Sequence, residues 1–146
     1  RYQPLTGCVL VTLPGSRRQE TLQPRISERF DVTVVVPCRH EQENVGPLLD
    51  RLAAALSDRR CQVVIVDDSD DEATVEAAEL AASRHDQRLF SVTAIRRVGV
   101  QRWGGLSGAV VDGLRRAGAD HVVVMDGDLQ HPPENVPALL DQFAQN

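Results

Sequence analysis

From Asp31 onward the chain alternates between short apolar runs and longer stretches whose apolar residues return every three or four positions. Val32-Thr33-Val34-Val35-Val36 is β-branched throughout and is closed by Pro37, which predicts a central strand buried on both faces. Val45, Leu48, Leu49, Leu52, Ala53 and Leu56 follow at helical spacing, with Asn44 placed to cap them. Val63-Val64-Ile65-Val66 predicts a second strand, and an Ala-rich helix runs on through about Ser83. Phe90 to Ile95 is a third, more alternating strand. An Arg- and Gly-rich loop, residues 96–105, leads into a helix around Leu106 to Ala117. His121 to Met125 is the fourth strand. Pro133 suits the first turn of a last helix, whose apolar face is Val136, Leu139, Leu140 and Phe143. Residues 1–30, rich in Pro, Gly, Arg and Gln, read instead as a linker or N-terminal arm, with room for a short strand between Cys8 and Leu13.

Nearly all-apolar strands alternating with helices predict an α/β fold, a mainly parallel sheet covered on both faces. In such sheets ligands gather beyond the carboxyl ends of the strands. Three of the four predicted strands end in polar or acidic residues: Pro37 through Glu41, Asp67-Asp68, and Asp126-Gly127-Asp128. They share one rim. An isolated Asp-Gly-Asp would ordinarily be a solvated turn. On this rim, Gly127 lets the backbone bend so that Asp126 and Asp128 converge on one cation. Hard cations such as Mg²⁺ and Mn²⁺ take oxygen ligands and leave positions open for phosphates.

The 146 residues suffice for one domain with a real core. A net charge of −5, without interleaved basic and aromatic residues, argues against nucleic acid as a partner. The chain has no lysine, which excludes a P-loop lysine, a Schiff base and a lysine general base. Cys8, Cys38 and Cys61 lack metal-ligand spacing, and the two in or beside predicted buried strands read as reduced thiols, in keeping with a cytoplasmic setting. No apolar run approaches the roughly 20 residues that span a bilayer. The start at Arg1, with neither Met nor a signal-peptide pattern, suggests a fragment or a processed chain. Ser69, Asp70 and Asp71 are expected to cap a helix, whereas Asp67 and Asp68 are placed to contact a nucleobase or ribose. Arg96, Arg97 and Arg102 are singly surface charges, but beside an acidic metal site such a loop has the chemistry to clamp a diphosphate.

Four ordered motifs carry a resemblance: Val34-Val35-Val36-Pro37 with Glu41 and Asn44; Val66-Asp67-Asp68-Ser69 with Asp71; Gly105-Leu106-Ser107 through Ala109-Val110 and Gly113; and Met125-Asp126-Gly127-Asp128-Leu129-Gln130-His131-Pro132-Pro133-Glu134. Over about residues 31–143 the chain resembles family 2 glycosyltransferases of the Rossmann-like GT-A fold, closest to the polyprenyl-phosphate mannosyl- and glucosyltransferases. The resemblance implies that residues 31–146 are the N-terminal part of a nucleotide-sugar-binding domain. It implies that Pro37, Arg39, Glu41, Asp67, Asp68, Asp126, Gly127 and Asp128 hold the nucleotide sugar. Asp126 and Asp128 would be the catalytic pair and, with Gln130, would bind Mg²⁺ or Mn²⁺. The implied reaction is inverting hexosyl transfer to polyprenyl phosphate at the inner face of the cell membrane. The Gly-Leu-Ser turn at Gly105 favours GDP-mannose over UDP-glucose as donor. Gly127 stands where Ala is common, a change expected to preserve the geometry. The chain also stops just after the metal-site helix, where the family continues into its acceptor-binding half. Two other readings share these residues: a non-catalytic nucleotide-binding or interaction module, and a phosphoryl-accepting receiver domain, which the missing lysine disfavours.

Overall fold

The computed structural model describes residues 4–5, 7–13 and 30–145. Among these, six strands occur: β1 (Pro4–Leu5), β2 (Cys8–Thr12), β3 (Val32–Cys38), β4 (Cys61–Asp67), β5 (Phe90–Arg96) and β6 (His121–Met125). Four helices join them: α1 (Val45–Ala55), α2 (Ala73–Ala82), α3 (Gly105–Arg115) and α4 (Val136–Ala144). The strands form one sheet in the order β1-β2-β6-β3-β4-β5. β6, β3, β4 and β5 are mutually parallel, and β2 runs antiparallel to β6.

Every residue of β3 is buried, as its unbroken apolar run requires of a strand packed on both faces. Val32, Val34 and Val36 face the larger core, with Leu48, Leu49 and Leu52 of α1, Ala78 of α2 and Leu139 of α4. Each fully buried Leu there contributes roughly 1.5–3 kcal/mol of apolar transfer. The alternate residue Val35 faces a smaller core with Val64, Val66, Val122 and Ala109 of α3. That helix lies close to the sheet because Gly113 has no side chain; a Cβ there would fall 2.3 Å from Val35 Cγ1. β5, at the sheet edge, is only partly buried, in keeping with its mixed pattern.

The four predicted strands and four predicted helices are all present, with three adjustments. Pro37 does not close β3 but lies within it, opposite Val66. Asp68 N donates to Cys38 O at 2.9 Å, so Cys38 faces β4 and Pro37 faces away from it. The β6 ladder has already ended at Val35 opposite Val124, so no bond requires the missing N–H. Within the stretch read as a linker or arm, Cys8–Thr12 forms the short strand, β2, paired along its whole length with β6; residues 14–29 lie outside the described residues. Pro133 opens a 3₁₀ turn, Pro133–Asn135, and the first-turn proline of α4 is Pro137.

Candidate functional site

The carboxyl ends of β3, β4 and β6 bring the three predicted polar segments to one rim, because these strands are adjacent and parallel. At its centre lies Cys38, buried at the end of β3. Burial raises its thiol pKa far above the ordinary range, and the carboxylates of Asp67, Glu41 and Asp126 raise it further. One thiol thus feels charge from all three strand ends. Cys8, the neighbour of Met125 across the β2–β6 ladder, is also raised, by burial and then by Asp126.

β6 ends at Met125, and the chain turns at once. Asp126 is exposed, Gly127 buried and Asp128 half-buried. A Cβ on Gly127 would stand 2.8 Å from Cys38 Sγ, 3.4 Å from Glu41 Cγ and 3.5 Å from Val36 Cγ1. The glycine therefore lets the acidic turn settle onto the end of β3. In this chain the space a Cβ would need is taken by Cys38. Leu129 adopts φ 63°, unusual for a branched residue, and packs against the larger core. That reversal brings Gln130 N to Asp128 Oδ1 at 3.1 Å. The turn is tied to α1 through Glu134, whose carboxylate accepts from Arg51 Nε at 2.7 Å and Nη2 at 2.6 Å. The Arg51 guanidinium pulls the Glu134 pKa down to about 2.

Glu41 reaches the same turn from β3. Its N–H donates to Thr74 Oγ1, and Asn44 Nδ2 donates to its Oε2 at 2.8 Å. Asn44 occupies the N-cap position of α1, yet its side chain orients Glu41 rather than capping the helix. Pro37 is buried, and Arg39 is exposed beside the rim.

At the end of β4 the two aspartates differ. Asp67 is fully buried: its Oδ1 accepts from Ser69 Oγ at 2.5 Å and Ser69 N at 3.2 Å, while Oδ2 has no hydrogen-bond partner among the described residues. Burial raises its pKa, and the Ser69 bonds pull part of the way back. Asp68 is consumed. Arg97 Nε and Nη2 donate to its two oxygens, each at 2.7 Å, and Nη1 reaches Asp112 Oδ2 of α3 at 3.2 Å. Arg97 is only 3% exposed and also donates to the carbonyls of Trp103 and Gly105. Two neighbours brace the same loop: Arg96 donates to the carbonyls of Ser69 and Asp70, and Arg102 to the Ser69 carbonyl and Asp70 Oδ1. The arginines read as surface charges or a diphosphate clamp instead hold the β4 loop in shape. Of the expected caps, Asp71 accepts from Ala73 N, Ser69 serves Asp67 and His40, and Asp70 faces Arg102.

Arg97 and Asp112 are the pair that sequence reasoning did not anticipate as partners. Their signal was faint: an arginine directly after a strand, opposite two adjacent aspartates. Among the described residues, no arginine or histidine pairs with Asp126 or Asp128, and no group of three or more His, Cys, Asp or Glu is placed to hold a metal ion. The donor chemistry nevertheless fits a hard divalent cation. Asp126 and Asp128, with only Gly127 between them, offer two carboxylates at an open rim.

Comparisons with known proteins bear on this rim. The sequence profile of "Glycosyl transferase family 2" matches residues 33–146. Dolichol-phosphate mannosyltransferase of Pyrococcus furiosus is 39% identical over 110 residues, covering 75% of this chain and 29% of the relative. The Saccharomyces cerevisiae dolichol-phosphate mannosyltransferase is 36% identical over 118 residues, covering 78% of this chain and 41% of its own. Dodecaprenyl-phosphate galacturonate synthase of Rhizobium johnstonii is 32% identical over 118 residues, covering 80% and 33% respectively. The chain therefore spans less than half the length of these curated relatives. A solved structure, mannosyltransferase PcManGT of Pyrobaculum calidifontis in complex with GDP-Man and Mn²⁺, superposes with a TM-score of 0.64 at 24% identity. That match covers 89% of this chain and 36% of the other, and it concerns the fold.

Proposed function

The chain belongs to glycosyl transferase family 2, and from that premise we propose that it carries the donor side of an inverting hexosyl transfer from a nucleotide sugar to a polyprenyl phosphate. The observation that carries this reading is the Asp126-Gly127-Asp128 turn, seated on Cys38 and Glu41 with no cation partner of its own among the described residues. In this reading Asp126 and Asp128, assisted by Gln130, hold Mg²⁺ or Mn²⁺. When bound, such an ion supplies positive charge to the diphosphate of the donor. GDP-mannose is favoured over UDP-glucose, in line with the mannosyltransferases that the chain is similar to.

The chain's own residues divide the remaining work. Asp67, fully buried at the end of β4 with one carboxylate oxygen unpartnered among the described residues, is the group this reading assigns to a nucleobase or ribose donor. Asp68 acts through Arg97, which fixes the β4 loop, and Glu41 is held by Asn44 against the acidic turn. Pro37 and Arg39 complete the nucleotide side. A phosphate oxygen of the acceptor attacks the anomeric carbon as the bond to the nucleoside diphosphate breaks on the opposite face. That oxygen is already anionic, so the site has little need of a general base. The acceptor places the reaction at a membrane, on the cytoplasmic inner face. No helix among the described residues is long and apolar enough to cross one.

Calorimetric titration of GDP, UDP and their sugars, with and without Mn²⁺, tests the donor site. Metal-dependent binding that is lost in Asp128→Ala supports it; absence of nucleotide binding, or binding indifferent to Asp128→Ala, sinks it. Transfer of labelled mannose to polyprenyl phosphate then separates an enzyme from a module that only binds nucleotide.

A further inference from the structure

Among the described residues six large apolar side chains are well exposed, and four of them fall within nine residues of one loop: Val98 at 50%, Val100 at 93%, Trp103 at 48% and Leu106 at 66%. Scattered apolar residues need no explanation, but a cluster does. The loop runs from the end of β5 through the 3₁₀ turn Gly99–Arg102 to the first turn of α3. Beside it lies a hollow of about 510 Å³, lined by Ile95, Val100, Trp103, Asp112 and Arg116 among others.

The surrounding charge runs against that of the whole molecule. Residues 96–116 hold five arginines and one aspartate, a net +4 within a chain of net −5, so the remainder carries −9. Two of these arginines are neutralised, Arg97 by Asp68 and Asp112, and Arg102 by Asp70. Among the described residues Arg96 bonds to two carbonyls, Arg116 donates to the Asp112 carbonyl, and Arg115 meets Asp112 at a loose 3.8 Å. The Arg115 guanidinium lies 5.8 Å from the centroid of the Trp103 ring. Apolar side chains, a half-exposed tryptophan and arginines without a strong carboxylate partner are the components of a surface that lies in a bilayer interface.

We infer that the 98–106 loop and the adjoining face of α3 dock on an anionic lipid surface. Val98, Val100 and Leu106 enter the headgroup boundary, Trp103 lies at it, and Arg115 and Arg116 meet lipid phosphates. The inference builds on the proposed lipid-phosphate acceptor, which sets the reaction at a bilayer. It also names the face that turns toward that bilayer.

Trp103 is the chain's single tryptophan, so its fluorescence reports on the patch alone. The chain is titrated with vesicles of phosphatidylcholine, and of phosphatidylcholine mixed with phosphatidylglycerol, while co-sedimentation measures partition. Expected are a blue shift and partition that require phosphatidylglycerol and weaken with salt. Replacing Arg115 and Arg116 by Gln should weaken partition by roughly fivefold per arginine. Val100→Asp, at a site too exposed to disturb folding, should weaken it by roughly tenfold or more. Failure to bind anionic vesicles overturns the inference, and so does a Val100→Asp variant that binds like the parent. A concentration-dependent blue shift without vesicles would assign the patch to a second copy of the chain and overturn it equally. GDP and UDP titrations on the same samples keep the two readings apart, since nucleotide binding without vesicle binding fails only the docking surface.

Discussion

Replacing Gly127 by alanine adds one methyl group at the most crowded point of the acidic turn. Its Cβ would stand 2.8 Å from Cys38 Sγ, against the roughly 3.5–4.0 Å at which non-bonded atoms rest. About 1 Å must therefore be found. Cys38 is buried at the end of a fully buried strand, so Sγ cannot simply swing into solvent. The next contacts, Glu41 Cγ at 3.4 Å and Val36 Cγ1 at 3.5 Å, leave little room for the turn to slide. Overpacking of this size costs about 1–3 kcal/mol, or a fall in Tm of roughly 2–4 °C per kcal/mol for a domain of this length. Cys38→Ala removes the clashing sulfur at a cost of about 1 kcal/mol or less in transfer and cavity terms. The double variant Cys38→Ala/Gly127→Ala should then be more stable than the sum of the two changes by about 1–2 kcal/mol. Urea denaturation of the four proteins measures this coupling, and Mn²⁺-dependent nucleotide titration shows whether the turn has moved. A neutral Gly127→Ala, or strictly additive effects, would refute the idea that glycine and cysteine are matched in size here.

Three further outcomes are expected. Arg97→Ala leaves Asp68 and Asp112 facing each other without a cation and should lower stability by about 3–5 kcal/mol in denaturant unfolding. The Glu134 carboxyl should titrate near 2 by NMR and return to its ordinary range in Arg51→Ala. Because that pKa is depressed, the contribution of the pair is present above the unfolded value and is lost as pH falls toward 2. Asp67 behaves in the opposite sense. Its raised folded pKa means that its protonated form favours the native state, a contribution complete below the unfolded carboxyl value and lost as pH rises through the folded one. Asp67→Asn should therefore gain stability relative to the parent as pH rises above the ordinary carboxyl range, and a parallel pair of stability–pH curves would contradict it.

The strands and helices were legible because their signals are local. A β-branched run such as 32–36 has one low-energy use in a water-soluble fold, and leucines at 48, 49 and 52 have another. The alternation of the two implied a parallel sheet, hence neighbouring carboxyl ends and a shared rim. Pro37 shows where local reasoning reached its limit. Whether a proline ends a strand depends on which neighbour its missing N–H faces, and the staggered ends of the β3–β4 and β3–β6 ladders decided that. β2 was only a possibility in the sequence, because five residues become a strand only when a partner edge such as β6 is present.

The rim divides in the same way. That Glu41, Asp67 and Asp126 lie at the carboxyl ends of adjacent parallel strands followed from residue order and strand direction alone. Which of them remain available did not, since partners distant in sequence fill a carboxylate's hydrogen bonds. Asp68 looked equivalent to Asp67 until Arg97, 29 positions away, took both its oxygens. That Gly127 lies against Cys38, with no room for a Cβ, could be seen only in the fold. The sequence by itself determined the kind of fold and the acidic character of one edge, because both depend on periodicity and order. Only the tertiary structure decided which carboxylates are braces and which face the open rim, because burial and pairing arise from contacts between segments far apart in the chain.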